Sequence, residues 1–381
     1  MIAAAPNFGL VAGEASGDLL AALLLDGLRQ RFPGLNAFGI GGPRMAQQGF
    51  HAWHSSETLS VRGYLEVLPR LAGLLALRRR LGDRLLRERP DLFIGVDAPD
   101  FNFGLEARLK QAGIRTVHFV SPSFWAWRAK KLVKLKAAAD HVLCIFPFEP
   151  ELLERHGIAA TYVGHPLAGV IPLEADRAAA RERLDLRADR PVVALLPGSR
   201  KSEIEHHAFR FFTTSALVQR SSNAMQFIVP TLPSLLPAVT AAAHAAGMAD
   251  RVKIVAGQSH DALAACDVTL IASGTATLEA ALFKRPMVIA YSMNALSFRI
   301  MKAKALLPYV GLPNVLCGEF VVPELLQERA TPEALAAALL DWLAAPEKIA
   351  SLQQRFMALH LELKRDTATL ATDAIHQVLE R

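Results

Sequence analysis

Short apolar runs recur along the chain, separated by longer stretches in which apolar residues follow a helical period. In the first half the runs cover residues 8–12, 91–96, 116–120, 141–146 and 160–163, and a further one closes at the turn Gly39-Ile40-Gly41-Gly42-Pro43-Arg44. In the second half they cover 192–196, 226–230, 252–255, 268–271 and 286–290. Runs that are apolar throughout, such as Leu92-Phe93-Ile94-Gly95-Val96, predict strands buried on both faces, the condition of a parallel sheet covered by helices. Helical patterns fall between them, at 19–28, 61–90 and 103–111, from 276 onward, and finally at 332–345 and 347–379. This alternation predicts an α/β chain. Its 381 residues exceed one core of ordinary size, so two domains are expected, 1–168 and 169–350, with the junction near residue 168, just ahead of the Pro-, Ala- and charge-rich stretch 171–190.

Several predicted strands end in turns suited to anions. Residues 268–271 run into Ser273-Gly274-Thr275 and then a helix. A strand that stops at a small turn and restarts as a helix aims unpaired N–H groups and the positive dipole end at one spot, where phosphate binds well. Glu279, one turn further in, is within reach of a hydroxyl-bearing group beside that phosphate. Taken alone, the pattern fits an ordinary strand–turn–helix equally well. Pro197-Gly198-Ser199-Arg200-Lys201 is a second such turn, with cations attached. Gly13-Glu14-Ala15-Ser16-Gly17-Asp18 is a third; its glycines do not fit G-x-G-x-x-G, which argues against a dinucleotide. Asp97-Ala98-Pro99-Asp100-Phe101-Asn102 sets two carboxylates just past the carboxyl end of a buried strand, where sheets of this class carry their chemistry. One Asp serves equally well as a helix cap; Asp97 suits that role, which leaves Asp100 the stronger catalytic candidate.

Composition narrows the classes. Hydrophobic residues make up 52% and charged residues 20%, which places the chain among globular proteins. Cys144, Cys266 and Cys317 form neither a metal-type spacing nor a disulfide framework, as suits a reducing cytoplasm. No stretch reaches the roughly eighteen uncharged apolar residues of a spanning helix, and the N-terminus lacks the basic start of a signal peptide, so a soluble or peripheral protein is expected. The net charge of +6 points to an anionic partner. Nucleic acid ranks behind nucleotide and lipid, because basic residues are not interleaved with aromatics. Residues 61–90 set Leu65, Leu68, Leu71 and Leu75 beside Arg70, Arg78, Arg79, Arg80, Arg84 and Arg87, the build of an interfacial membrane helix or of a core helix with a solvated basic face. Residues 298–304 form a second apolar and basic patch. Trp125 and Trp127, in the turn after 116–120, suit either a pocket for an apolar substrate portion or burial against the sheet.

Two such domains with glycine turns at strand ends suggest the GT-B glycosyltransferase type, in which two Rossmann-like domains face a cleft. No D-x-D triplet occurs, so a metal-held diphosphate is not supported. The blocks A-G-E-A-S-G-D (12–18), G-G-P-R-M (41–45), D-A-P-D-F-N (97–102), V-S-P-S-x-W-A-W-R (120–128), L-L-P-G-S-R (195–200), A-S-G-T-A-T-L-E (272–279) and L-P-N (312–314) resemble lipid-A-disaccharide synthase along most of the chain. Their order is far more specific than any single block.

The resemblance implies an inverting transfer of 2,3-diacylglucosamine from its UDP derivative to the 6-hydroxyl of 2,3-diacylglucosamine 1-phosphate (lipid X), without metal or cofactor. It implies a general base at Asp100, with Asp97 in reserve. UDP would be held by Ser199, Arg200, Ser273, Gly274 and Thr275, its ribose by Glu279, with help from Asn314. Glu14, Ser16 and Gly17 would face the sugar or acceptor, and Arg44 and Asn102 join the substrate-binding set. Residues 351–381 would form a helix packing back towards the N-terminal domain. The expected setting is the cytoplasmic face of the inner membrane, with the lipid surface as partner; a homodimer is compatible. The rivals are a UDP-N-acetylglucosamine 2-epimerase, another UDP-sugar glycosyltransferase of the same fold acting on a peptidoglycan precursor, and a periplasmic sugar-binding protein, against which the missing signal peptide argues.

Overall fold

The computed structural model describes residues 5–59, 64–123, 130–221 and 224–380. The chain forms two compact units, Met1–Gly169 together with Glu362–Arg381, and Val170–Leu361.

The first unit is built on strands β1 (Asn7–Ala12), β2 (Asn36–Gly41), β3 (His51–Ser55), β4 (Leu92–Val96), β5 (Arg115–Phe119), β6 (His141–Cys144) and β7 (Ala160–Tyr162). All pair in parallel, in the order β3-β2-β1-β4-β5-β6-β7. Its helices are α1 (Glu14–Arg31), α2 (Pro43–Gln47), α3 (Tyr64–Glu88), α4 (Pro99–Gln111), α5 (Lys130–Ala138), α6 (Glu149–Glu154) and α7 (Pro166–Val170, whose last residue opens the second unit). The central strands are buried along their length, as their unbroken apolarity requires. Leu77, Leu81 and Leu85 of α3, spaced four apart, pack with Val11, Phe38, Ile40, Phe93, Leu105 and Leu109. This part of α3 is therefore a core helix with a basic outer face; Leu75 turns outward, 46% exposed. The side chains of α3 up to Leu71, and residues 60–63, lie outside the described residues, as does 124–129 with both tryptophans of the turn after β5.

The second unit carries β8 (Val192–Leu196), β9 (Gln226–Thr231), β10 (Val252–Ala256), β11 (Val268–Ile271), β12 (Met287–Tyr291) and β13 (Glu324–Leu326), parallel in the order β10-β9-β8-β11-β12-β13. Around them lie α8 (Arg177–Arg183), α9 (Lys201–Ser221), α10 (Leu236–Ala245), α11 (Ser259–Ala265), α12 (Thr275–Leu282), α13 (Ala295–Lys304), α14 (Leu312–Cys317), α15 (Pro332–Leu343) and α16 (Pro346–Leu363, whose last two residues belong to the first unit). After α16 a last helix, α17 (Thr367–Glu380), belongs to the first unit. There it meets α1 where Gly27 permits: a Cβ at Gly27 would stand 3.0 Å from Ala368 and from Thr372.

Three departures from the apolar pattern have local causes. The helix expected over 347–379 is interrupted at 364–366, because Asp366 accepts from the N–H and the hydroxyl of Thr369 and starts a new helix. The helix expected from 103 opens at Pro99, a residue preformed for the first turn, so Asp100 and Asn102 ride inside it. Strands β3 and β13 were invisible to an apolar pattern, being an exposed sheet edge and a three-residue strand that begins with Glu324.

Both sheets reverse their winding next to the first strand of the unit, between β1 and β4 and between β8 and β11. At such switch points adjacent connections leave on opposite faces and the carboxyl ends open into a crevice.

One buried group ties pH to stability. His165, in the corner Gly164-His165-Pro166, accepts the N–H of Leu167 on Nδ1 at 3.2 Å beside the Phe146 ring. Burial brings its pKa down from 6.5 to about 4. As pH falls through that window the unfolded chain takes the proton first, so stability is full above the unfolded value and is lost towards the folded one. The shift corresponds to roughly 3 kcal/mol at most. Replacing His165→Gln should flatten the fall in unfolding free energy over this pH range in chemical denaturation; an unaltered slope would overturn the assignment.

Candidate active site

In the first unit the turns after β1 and β4 touch. A Cβ on Gly13 would stand 3.4 Å from the Ala98 Cβ, and one on Gly17, in the first turn of α1, would lie 3.8 Å from the Val96 carbonyl. Ser16 is exposed at this turn and Gly17 buried; the Glu14 side chain lies outside the described residues. Asp18, one residue beyond, is buried and accepts the N–H groups of Gly42 (2.9 Å), Arg44 (3.0 Å) and Met45 (3.1 Å). It thereby holds the G-G-P-R turn against α1, with the Arg44 side chain exposed. Asp18 closes the A-G-E-A-S-G-D block, yet no local pattern marks it for this role, because its partners lie 24 to 27 residues on.

The turn after β4 is strained. Asp97 (φ 51°) and Ala98 (φ 43°) are both left-handed, as is Val120 (φ 78°) after β5. Such residues persist only where their surroundings dictate them, and they gather at functional sites. Asp97 is half-buried and Asp100 exposed. Among the described residues Asp97 caps no helix: Ala98 occupies the N-cap of α4, while the Asp97 N–H donates to Phe119 O (2.8 Å). That corrects the capping role considered for Asp97. Asn102 also differs from its expected part. It is fully buried, and its Nδ2 serves the carbonyls of Asp97 (2.8 Å), Val11 (3.4 Å) and Val96 (3.4 Å), which makes it an organiser of the turn and not an open substrate contact.

In the second unit the two expected anion turns differ. At the turn after β8 the Ser199 N–H (2.8 Å) and the Arg200 N–H (3.2 Å) both donate to Glu203 Oε2, and the Arg200 guanidinium reaches Glu203 Oε1 (3.2 Å). The donors that the strand–turn–helix pattern offered to a phosphate are filled by the protein's own carboxylate; Glu203 stands at the third helical position, where a capping-box acid reaches back. His207, buried, accepts the Ser292 N–H on Nε2 (3.0 Å) and so donates its Nδ1–H to the Pro197 carbonyl (3.2 Å). Burial lowers its pKa, which keeps the neutral ring this bridge needs.

The turn after β11 remains open. Gly274 (φ 138°) is the N-cap of α12, with nothing within 4 Å of where its Cβ would be. Among the described residues no protein acceptor takes the N–H groups of Gly274, Thr275 and Ala276. Thr277 Oγ1 donates to Gly274 O (2.7 Å) and Ser273 Oγ to Val310 O (3.3 Å), so side chains hold the turn while its amides stay clear. Glu279 follows on α12, largely buried, with Oε2 3.7 Å from His260 Nε2. Burial raises its pKa, and His260 works against that rise. His260 was not expected from the sequence; only the fold brings α11 beside α12.

Asn314 is a correction. Its Nδ2 donates to Val322 O (2.9 Å) and Glu324 Oε1 (2.8 Å), and its Oδ1 accepts from Val321 N (2.9 Å) and Val322 N (3.0 Å). It is buried with its capacity spent on the 311–324 segment, leaving none for a donor. Glu324 completes the clasp by accepting from Val310 N (2.9 Å) and Gly311 N (2.8 Å). Among the described residues no three His, Cys, Asp or Glu side chains gather as ligands for a metal ion.

Two parallel-sheet Rossmann-like units with such turns at their switch points define an α/β protein of GT-B type. Solved structures agree: UDP-GlcNAc 2-epimerase from Neisseria meningitidis bound to UDP-GlcNAc matches with a TM-score of 0.65 at 10% identity over 98% of this chain and 99% of that one. The calicheamicin glycosyltransferase matches with 0.62 at 14% over 99% of each. At those identities the likeness is one of fold. A family model described as lipid-A-disaccharide synthetase matches residues 8–378. Proteins named lipid-A-disaccharide synthase from Albidiferax ferrireducens (62% identity, covering 97% of both chains) and Verminephrobacter eiseniae (60%, covering 98% of this chain and 97% of that one) are similar along their whole lengths. The chain belongs to the lipid-A-disaccharide synthetase family.

The Glu203 clasp can be tested directly. Glu203→Ala should lower the unfolding free energy by about 1 kcal/mol, the usual worth of a lost cap. Unfolding unchanged in urea would show that the clasp contributes nothing.

Proposed function

We propose that this chain is a glycosyltransferase that moves 2,3-diacylglucosamine from UDP-2,3-diacylglucosamine to the 6-hydroxyl of 2,3-diacylglucosamine 1-phosphate, giving the β-1,6-linked disaccharide 1-phosphate and UDP. Membership of the family across residues 8–378 carries this reading. The fold alone suits an epimerase as well, since both kinds of protein share it. Incubation with both lipids decides: UDP release with disaccharide supports the transferase, and free epimerised sugar without disaccharide would sink it.

The chemistry is a single displacement. The acceptor oxygen bonds to the anomeric carbon as the bond from that carbon to the UDP oxygen breaks. The hydroxyl proton passes to a carboxylate, Asp100 first, in the opening turn of α4, and Asp97 in reserve, on the strained turn before it. The leaving diphosphate gathers charge, which the open amides at the N-terminus of α12 are suited to stabilise. The Glu203 clasp makes the turn after β8 the weaker of the two anion seats; the exposed Arg200 side chain supplies charge there. Glu279 accepts from ribose hydroxyls. Asp100→Asn should cut kcat by about 100-fold or more with UDP affinity kept, whereas Glu279→Ala should weaken UDP binding roughly tenfold. Calorimetry with UDP and a radiolabel transfer assay separate the two; a full rate in the first variant, or full affinity in the second, removes that residue from its role.

Among the described residues no helix is long and apolar enough to cross a membrane. The acyl chains of both substrates make a peripheral position on the cytoplasmic face of the inner membrane the natural one. Exposed Arg79 and Arg80 on α3 and the apolar and basic 298–304 patch support it. Flotation with anionic vesicles should weaken when Arg79 and Arg80 become Glu, and indifference to that change would count against α3 as the contact.

A further inference from the structure

Asp100 lies in the first turn of α4, so the seating of α4 on the sheet decides where that carboxylate stands. Two fully buried polar side chains, one helical turn apart, seat it. Asn102 holds the carbonyls at the ends of β1 and β4. Glu106 accepts the Nδ1–H of His118 at 2.7 Å, with both side chains wholly buried. His118 stands on β5 in register with Gly95 on β4, and Glu106 Oε1 lies 2.0 Å from where a Cβ of Gly95 would be. The carboxylate thus rests flat on the strand at a place only glycine leaves open. Phe103 packs edge-on to the His118 ring at 4.9 Å between centroids.

A pair of apolar residues would seat a helix on a sheet at lower cost than a buried acid and imidazole. This pair is also incompletely satisfied. Glu106 Oε2, His118 Nε2 and, at the neighbouring anchor, Asn102 Oδ1 are buried without a hydrogen-bond partner among the described residues. Stability does not account for such an arrangement; directional seating does, because a hydrogen bond fixes both the rotation and the height of α4 where greasy contacts allow sliding. Four residues before Asn102 the chain is left-handed at Ala98, so any shift of α4 passes straight into the strained turn.

We propose that Glu106, through His118, is a positioning residue that sets the Asp97–Asp100 turn for proton transfer. The proposal rests on the transferase reading. Glu106→Ala and the double variant Glu106→Leu/His118→Phe should lower kcat by about 10- to 100-fold, the usual effect of displacing a reacting group by up to an ångström. UDP affinity and the donor KM should stay within about twofold, since uniform binding is untouched. Glu106→Gln, which keeps the shape and an acceptor for His118, should restore most of the rate. The double variant should unfold at the same temperature as the parent or higher, so a loss of kcat there cannot be ascribed to unfolding, and it keeps the test valid if Glu106→Ala does not fold. Asp100→Asn is assayed in parallel. If Asp100→Asn is inactive while the folded double variant turns over at the parental rate, the positioning role is overturned. If Asp100→Asn is fully active, the base assignment fails instead, and a kcat loss in the Glu106 variants then places Asp97 as the positioned group.

Discussion

Parallel pairing of strands buried on both faces is the constraint from which the rest of this molecule follows. A parallel ladder satisfies the backbone along the strand but not at its carboxyl end, where each chain must turn out to a helix. Beside β1 and beside β8 the turns leave on opposite faces, so backbone groups further into the turns must find partners outside the ladder. Buried polar side chains take up that demand. Asp18 gathers three amides, Asn102 three carbonyls, and Glu324 the amides ahead of α14. Each is nearly or wholly buried, and each acts on backbone, as buried polar groups mostly do.

The same accounting separates turns that look alike. After β8 the amides are met by Glu203 from within the helix they open; after β11 no protein acceptor among the described residues meets those of Gly274, Thr275 and Ala276. Both turns contain glycine with φ above +130° and both precede a helix. The difference lies in one acid three residues on. An open amide set with an unobstructed glycine suits an incoming anion, and a filled set suits a fixed turn that presents the Arg200 side chain.

Family membership is shown by similarity along the whole chain, and the fold by structures too distant in sequence to carry function. The two kinds of likeness do separate work. Shared fold explains why a turn after the fourth strand of each sheet order bears chemistry in many proteins; it does not say which chemistry.

The sequence alone determined the alternation of buried strands and helices, because an unbroken apolar run leaves a parallel strand little alternative. It also located the chemistry-bearing turns, since glycine, proline and acid residues at a strand end have strong local meaning. Tertiary structure decided what each polar residue does. Asn102 and Asn314 read as ligand contacts, and their side chains are committed within their own units, to backbone for Asn102 and to backbone and Glu324 for Asn314; Glu203, to which no motif assigns a role of its own, fills a turn. His118, His207 and His260 carried no signal, because their partners come from other elements: Glu106 twelve residues away, Ser292 on the loop after β12, Glu279 on the next helix. A local pattern records propensity and burial, which act within a few residues. Hydrogen-bond satisfaction is settled only when distant segments meet, and here that meeting divided the residues that hold the turns from those left facing outward.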